Sequence, residues 1–133
     1  MPVGVDTSFF FAIERKHPVA LSLWSNEAII TSSISIFELQ RKLLTGEFKG
    51  HHLLSQIERS VEIVPVSLSI AKKAARISHT FGIPSLDSLI LSSLVEVGCK
   101  RIYSTDPHFD QFKEKSIKII RLKKSGYASP GSI

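Results

Sequence analysis

The sequence predicts one α/β domain with a central, mostly parallel five-stranded sheet and helices on both of its faces. Two observations favour this fold. Short apolar runs alternate with helical segments along the chain, and the 133 residues are enough for one compact domain. The hydrophobic fraction of 43% and the charged fraction of 22% are typical of globular proteins, so we do not expect a disordered chain.

Each predicted strand is a short run of apolar, often β-branched residues that is bounded by turn residues. In chain order, the predicted strands span residues 2–6, 28–33, 61–66, 101–105 and 117–122. Pro65 lies in the third run. Because proline cannot donate a hydrogen bond to a neighbouring strand, we expect the third strand at an edge or that proline at the strand end.

Each predicted helix carries apolar residues three or four positions apart, and most have a start or stop signal. In chain order, the predicted helices span residues 7–16, 18–26, 33–46, 51–60, 67–82 and 87–98, and a short one spans 108–114. Pro18 suits the first turn of the second helix, and Ser67 can cap the fifth. Gly46 and Gly82 suit helix ends. We expect a folded domain over residues 1–124 and a flexible C-terminal tail over 125–133.

Several classes of protein do not fit this sequence. No run approaches the roughly 18 consecutive apolar residues of a membrane helix, and no signal peptide is predicted. Cys99 is the only cysteine, which excludes an intramolecular disulfide. We therefore expect a cytoplasmic protein without a membrane partner.

The formal net charge is +5, and basic residues are concentrated toward the C-terminus. From Lys100 onward, eight lysines and arginines are opposed by three acidic residues. Such a strip is typical either of a solvated basic face or of a surface that contacts RNA, and the sequence favours neither interpretation.

Aspartate is rare in this chain and occurs at informative places. Asp6 ends the first predicted strand, Asp106 directly follows the fourth, Asp87 opens a predicted helix, and Asp110 is the only other aspartate. Ligands of open α/β sheets bind at the carboxyl ends of strands, so neighbouring strands would bring Asp6 and Asp106 together. Two carboxylates 4 Å apart repel by about 4 kcal/mol at an effective dielectric near 20. Such a cluster takes up protons or binds a cation, and short carboxylates suit Mg²⁺.

Each acid taken alone also has a simpler interpretation. Asp6, Asp87 and Asp106 could each cap a helix or turn through a backbone amide. Glu38 could pair with Lys42 four residues later on the same helix. The pattern of acids alone therefore leaves the function open.

Four segments of the sequence resemble, in order, the motif blocks of the PIN domain. They are VDTSFF, SISIFELQRKL, PSLDSLILSSLVEVG and RIYSTDPHF, and the match spans residues 3 to about 122. The resemblance implies a three-layer α/β/α fold and a metal-dependent nuclease. It implies an acidic catalytic site of Asp6, Glu38, Asp87 and Asp106. Of these residues, Asp6, Asp87 and Asp106 would be the metal ligands.

One block departs from the pattern of many relatives. These relatives have small residues in a D-A-x-I-A-A run, whereas Asp87 is followed here by Ser88, Leu89, Ile90, Leu91, Ser92 and Ser93. The acid is kept, so we expect different helix packing without loss of the site.

The resemblance also suggests accessory residues. Ser104 and Thr7 lie beside the acids, where a hydroxyl can hydrogen-bond a carboxylate or water. Asp110 could support the site or simply face solvent. Candidate contacts to the RNA backbone are the basic residues Arg41, Lys42 and Lys100.

The small size of the chain makes it most similar to VapC-type toxins within this family. That resemblance implies an endoribonuclease that uses Mg²⁺ or Mn²⁺, forms a homodimer and is held inactive by a cognate antitoxin. Two alternatives remain. One is a catalytically silent PIN-like interaction module. The other is a metal-dependent phosphatase, although haloacid-dehalogenase-like enzymes have a second Asp where this chain has Ser8.

Overall fold

The computed structural model describes residues 2–123, which form one five-stranded sheet in the order β3-β2-β1-β4-β5. Every strand pair is parallel, which confirms the predicted α/β class. The third strand lies at an edge and ends just before Pro65, as expected. In chain order, the strands are β1 (Val3–Val5), β2 (Ile29–Ser32), β3 (Glu62–Val64), β4 (Arg101–Ser104) and β5 (Lys118–Arg121).

Six α-helices and one 3₁₀ helix connect these strands. In chain order, they are α1 (Thr7–Glu14), α2 (Pro18–Asn26), α3 (Ser33–Thr45), α4 (His51–Ser60), α5 (Leu68–Phe81), α6 (Ser85–Glu96) and the 3₁₀ helix (Pro107–Gln111). Within the described residues, none of these helices is long and apolar enough to cross a membrane.

Three of the predicted helices have wrong bounds. The first of them, predicted over 7–16, ends at Glu14. Helix α6 begins at Ser85, so Asp87 lies inside its first turn. The short helix predicted over 108–114 is a 3₁₀ helix that ends at Gln111, where the Phe112 amide donates to the Phe109 carbonyl. The predicted tail, residues 125–133, lies outside the described residues.

The sheet separates two apolar cores because side chains alternate between its faces. Val3, Val5 and Ile29 pack into the core on one side, whereas Ile30 and Ile102 pack into the core on the other side. The first core includes residues of α1–α4, and the second includes residues of α5, α6 and the 3₁₀ helix. The domain therefore has three layers, with the sheet in the middle.

Gly4 lets α6 approach the central strand closely. A Cβ atom at this position would lie 3.1 Å from Leu94 Cδ1 and 3.2 Å from Cys99 Sγ, which is tighter than ordinary packing. Ser93 of α6 and Ser32 of β2 are also in contact through their hydroxyl oxygens, at 3.0 Å. This close packing fixes the helix that carries Asp87 against the sheet.

The serines that replace the small-residue run of α6 are buried, and their hydroxyls all have partners. Ser88, Ser92 and Ser93 donate to the backbone carbonyls of Ile83, Ile70 and Leu89, at 3.1, 2.8 and 2.8 Å. Burying a hydroxyl is costly only when it has no partner. The substitutions are therefore accommodated, and α6 still packs tightly on the sheet.

His17 ties the end of the described chain to α2. The residue is 2% exposed, and its Nδ1 accepts from the amides of Val19 and Ala20 at 3.2 and 3.4 Å. Its Nε2 lies 2.7 Å from the carbonyl oxygen of Lys123. Because Nδ1 accepts, the ring carries its proton on Nε2 and donates to Lys123.

Replacing His17 with alanine should destabilise the domain by about 1–3 kcal/mol, because the first turn of α2 loses its cap and the Lys123 carbonyl loses its donor. Urea unfolding monitored by circular dichroism measures this change. His79→Ala, at an exposed position on α5, is the control and should change the stability by less than about 0.5 kcal/mol. Equal stability of the two variants would contradict the assigned role of His17.

Candidate active site

The predicted acids meet where β1 and β4 end. These strands are neighbours, with Val5 opposite Tyr103, so Asp6 and Asp106 both emerge at the carboxyl edge of the sheet. A pocket of about 180 Å³ opens there. Its lining residues are Asp6, Thr7, Ser8, Phe11, Glu38, Lys42, Asp87 and Asp106. The structure thus brings together four acids that lie as much as 100 positions apart in the sequence.

Asp6 is the most deeply buried of the four acids, with only 3% of the residue exposed. Ser8 Oγ and the Phe9 amide donate to its Oδ1 at 2.7 and 3.3 Å. Ser104 Oγ donates to its Oδ2 at 2.7 Å. The contact with Phe9 also makes Asp6 the N-cap of α1, so the capping role and the position in the pocket are compatible.

Ser8 and Ser104 also hold the loop that follows β4. Each serine hydroxyl donates a hydrogen bond to Asp6 and accepts one from a backbone amide. The Thr105 amide donates to Ser8 Oγ at 2.8 Å, and the Asp106 amide donates to Ser104 Oγ at 2.9 Å. The two hydroxyl oxygens lie 3.3 Å apart. The serine pair thus fixes Asp6 of one strand end relative to Asp106 of the other.

Asp87 and Asp106 line the more open part of the pocket, with 17% and 27% of their side chains exposed. Asp106 caps the 3₁₀ helix, because its Oδ1 accepts from the His108 amide at 2.9 Å. Asp87 makes no side-chain capping bond at the start of α6, where Pro84 occupies the N-cap position. Its carboxylate lies among the acids instead.

Glu38 reaches the pocket from α3 and is held there by Thr7, whose Oγ1 donates to Glu38 Oε1. The same hydroxyl oxygen lies 3.1 Å from Ser35 Oγ. Lys42 does not form the alternative pair with Glu38. Its Nζ pairs with Glu47 at 3.1 Å while it also lines the pocket.

Two of the acids hold protons more tightly than an ordinary carboxyl does. Burial raises the pKa of Asp6 from 3.8 to about 6, although hydrogen bonds from Ser8 and Ser104 oppose this shift. Burial also raises the pKa of Asp87 to about 7, and repulsion from Asp106 and Asp6 adds to the effect. The pocket therefore concentrates negative charge that a cation would stabilise.

Three other predicted residues do not line the pocket. Asp110 pairs with Arg121 at 2.8 Å, has 51% of its side chain exposed and is not among the residues that line the pocket. Arg41 is exposed on α3, next to Lys42. Lys100 precedes β4 and thus lies at the amino edge of the sheet, opposite the pocket. The contact of Lys100 with RNA stays a prediction, and it would require RNA to extend beyond the carboxyl ends of the strands, where the acids lie.

Sequence reasoning missed His108 because it compared histidines only with one another. The His108 Nδ1 atom lies 3.0 Å from Asp106 Oδ1 and 3.7 Å from Asp87 Oδ2. One ligand atom from each of these three residues falls within a group no wider than 4.8 Å. The position of His108 directly after Asp106 and Pro107 was the signal that could have revealed it.

The model of the PIN domain family matches residues 3–115. The chain belongs to the PIN domain family. This assignment confirms the resemblance seen in the four sequence motifs. No curated protein sequence matches the chain.

Solved structures with this fold include several VapBC toxin–antitoxin systems. One is VapBC2 from Rickettsia felis, bound to a DNA fragment from its promoter. The match has a TM-score of 0.73 and 17% sequence identity, and it covers 92% of this PIN domain and 100% of the VapBC2 chain. VapBC-1 from nontypeable Haemophilus influenzae has a TM-score of 0.71 and 12% identity, with coverages of 91% and 98%.

A third similar structure is VapC20 from Mycobacterium tuberculosis, a toxin that cleaves the sarcin–ricin loop. Its TM-score is 0.64 and its identity 20%, and the match covers 81% of this PIN domain and 92% of VapC20. At these identities the three structures show that the fold is shared.

The acids of this PIN domain form a donor set that fits a divalent cation. Carboxylate oxygens of Asp87 and Asp106 lie close together, and Asp6 and Glu38 line the same pocket. Hard divalent ions bind such oxygens and keep several waters, for which an open pocket leaves room. Their charge would also stabilise the ionised form of Asp87, whose pKa is raised by burial and by repulsion from Asp106 and Asp6.

Replacing Ser104 with alanine should raise the pKa of Asp6 further, because the buried carboxylate loses a donor that favours its charged form. The domain should also lose about 1–3 kcal/mol of stability. NMR titration of the Asp6 side-chain carboxyl carbon measures the pKa. Ser92→Ala, which removes a buried hydroxyl bonded to the Ile70 carbonyl, is the control and should leave this pKa unchanged. An unchanged pKa in Ser104→Ala would contradict the assigned hydrogen bond.

Replacing Asp87 with asparagine should alter how the stability of the metal-free protein depends on pH. The folded-state pKa of Asp87, about 7, lies above the ordinary value of 3.8, so the folded chain retains a proton that the unfolded chain releases. The stabilising contribution of this proton is complete at low pH and is lost as the pH rises through the folded-state pKa. Urea unfolding in EDTA at pH 5 and pH 8 should show a smaller loss in Asp87→Asn than in wild type.

The matched control for this titration is Asp110→Asn, because Asp110 is an exposed aspartate that pairs with Arg121 outside the pocket. Between pH 5 and pH 8, the free energy of unfolding of this variant should change as much as that of the wild type. If Asp87→Asn also retains the full wild-type dependence, the raised pKa is assigned to the wrong group.

Proposed function

We propose that this PIN domain is a Mg²⁺- or Mn²⁺-dependent endoribonuclease that hydrolyses RNA phosphodiester bonds, and that it is the toxin of a type II toxin–antitoxin pair. The observation that carries the proposal is the convergence of Asp6, Glu38, Asp87 and Asp106 in one pocket. Membership of the PIN domain family and structural similarity to VapC20, a toxin that cleaves RNA, support it.

In this proposal Asp6, Asp87 and Asp106 hold the metal, and Glu38 completes the acidic catalytic site. A bound divalent cation supplies positive charge that stabilises the negative charge developing on a phosphodiester during hydrolysis. Thr7 orients Glu38 by donating to Oε1, which leaves Oε2 able to accept a hydrogen bond from the attacking water. Ser104 keeps Asp6 beside Asp106.

Basic residues at the pocket would orient the RNA. Lys42 lines the pocket beside Glu38, and the exposed Arg41 precedes it on α3, so both are proposed contacts to phosphate oxygens. Such contacts position the backbone without reading its sequence. Asp110 would act only indirectly, because its carboxylate pairs with Arg121.

The biological part of the proposal rests on the VapBC systems that share this fold. The chain would bind a cognate antitoxin that blocks the acidic pocket until RNA cleavage is required. The expected homodimer and the cytoplasmic location stay predictions. Light scattering of the purified protein measures the first, and fractionation of the source cells measures the second.

Replacing Asp6 or Asp87 with asparagine should lower Mn²⁺-dependent cleavage of single-stranded RNA by at least about 100-fold, because each change removes charge that holds the metal. A dual-labelled RNA oligonucleotide measures the rate, and circular dichroism shows whether the variants remain folded. The control is Asp110→Asn, which removes an aspartate outside the pocket and should keep most of the activity.

The same assay separates the alternative functions. Wild-type rates in both Asp6→Asn and Asp87→Asn would rule out the proposed site. Turnover of a small phosphomonoester without RNA cleavage would indicate a phosphatase. Absence of both activities in a folded, Mn²⁺-supplied protein would indicate an interaction module.

Expression of the wild-type chain in bacteria should arrest growth, and the Asp6→Asn chain at the same level should not, because arrest requires RNA cleavage. Growth curves and immunoblots measure the two quantities. A small protein encoded beside this chain should restore growth when it is expressed with the wild type. Equal arrest by both chains would contradict the toxin assignment, even if the purified protein cleaves RNA.

A further inference from the structure

His108 is not among the residues that line the acidic pocket, but it brings a nitrogen atom close to two that are, Asp87 and Asp106. It lies on the 3₁₀ helix, two residues after Asp106, and its Nδ1 is 3.0 Å from Asp106 Oδ1. The same nitrogen is 3.7 Å from Asp87 Oδ2. Two carboxylates that belong to the proposed metal site and one imidazole therefore face the same small volume.

We propose that His108 is a metal ligand of this site through Nδ1, together with Asp87 and Asp106. This nitrogen makes the site prefer a first-row transition-metal ion, Mn²⁺ or Co²⁺, over Mg²⁺. The inference rests on the proposed metal-dependent function, and it names the residue that sets the choice of metal.

The distances between the three ligand atoms suit a common ion. Two ligands at right angles on an ion with bonds of about 2.1 Å lie about 3.0 Å apart. The separation between His108 Nδ1 and Asp106 Oδ1 has this value, and the separation from Asp87 Oδ2 is 0.7 Å longer. With 51% of its side chain exposed, His108 has room for the small rotation that would close this difference.

The backbone of the 3₁₀ helix holds Asp106 and His108 in a fixed relation. Asp106 Oδ1 accepts from the His108 amide at 2.9 Å, and Pro107 occupies the first position of the helix. Phe109 is fully buried in the core that contains residues of α5 and α6, which anchors the helix to the domain. The two ligand atoms are therefore positioned together before any metal binds.

The identity of the ligand atoms determines which ion is favoured. Mg²⁺ binds oxygen ligands and water, whereas an imidazole nitrogen strengthens binding of first-row transition ions much more than it strengthens binding of Mg²⁺. A site made only of Asp6, Glu38, Asp87 and Asp106 would lack this bias. His108 supplies the only nitrogen atom in the group of possible ligands found among residues 2–123.

His108 could also act merely as a hydrogen-bond donor that positions the two acids. A donor of this kind would affect the binding of Mn²⁺ and Mg²⁺ to a similar degree and would never coordinate the ion. A ligand changes the ratio of the two affinities and couples magnetically to the bound Mn²⁺. These two properties distinguish the roles without any measurement of RNA cleavage.

The test uses Mn²⁺ bound to the full-length chain. Pulsed electron paramagnetic resonance should detect a directly coordinated ¹⁴N nucleus in wild type and lose that signal in His108→Gln, in which the side-chain amide can still donate a hydrogen bond. The ratio of Mn²⁺ to Mg²⁺ affinity, from competition titrations, should fall on the order of tenfold in this variant.

Two further variants sharpen the test. His108→Asp supplies an oxygen in place of the nitrogen, so it should keep metal binding, lose the ¹⁴N signal and shift the affinity ratio toward Mg²⁺. His79→Gln changes an exposed histidine on α5 and should retain the wild-type signal and ratio.

The outcomes separate this inference from the proposed function. A ¹⁴N signal that is absent from Mn²⁺-bound wild type, or that persists in His108→Gln, would overturn the role of His108 and leave the acidic metal site intact. An equal loss of Mn²⁺ and Mg²⁺ affinity in His108→Gln would also overturn it. Failure of wild type to bind Mn²⁺ at all would overturn both proposals.

Discussion

The arrangement of the pocket depends on how the buried carboxylate of Asp6 is held. Its three donors come from the first turn of α1, through Ser8 and the Phe9 amide, and from the end of β4, through Ser104. The two serines also accept hydrogen bonds from backbone amides of the loop that follows β4. The ends of two neighbouring strands therefore form one hydrogen-bonded unit. Asp106, the 3₁₀ helix and His108 all take their positions from this unit.

Beside this unit the fold holds acidic side chains close together, and their mutual repulsion costs free energy. Asp87 is brought against Asp106 and Asp6 because α6 packs closely on β1, where Gly4 leaves space for it. Packing of the two apolar cores has to outweigh the repulsion between these acids. Within residues 2–123, every buried side-chain nitrogen and oxygen has a hydrogen-bond partner, so no unpaired polar group adds to this cost. Destabilised charge at one edge of a stable scaffold is typical of sites that bind cations.

The sequence was a good guide to the fold because each segment had a local signature, such as the short apolar runs of β1 and β2 or the glycines that end α3 and α5. The convergence of Asp6 and Asp106 followed from the rule that parallel strands end at one edge. The contact of Glu38 with Thr7 could not be derived in this way, since it depends on how α3 packs against α1. The distance of Lys100 from the acids also could not be derived from its charge, because it depends on which end of β4 faces the pocket.

The hydrogen bonds of Asp6 have a consequence for the number of ions that the pocket can bind. A carboxylate oxygen has two lone pairs, and both of those on Oδ1 are taken by Ser8 and Phe9. On Oδ2, Ser104 takes one and leaves one. Asp6 can therefore coordinate a single ion through a single oxygen, so it cannot bridge a pair of ions, and the bridging carboxylate of any binuclear arrangement would have to come from another of the acids.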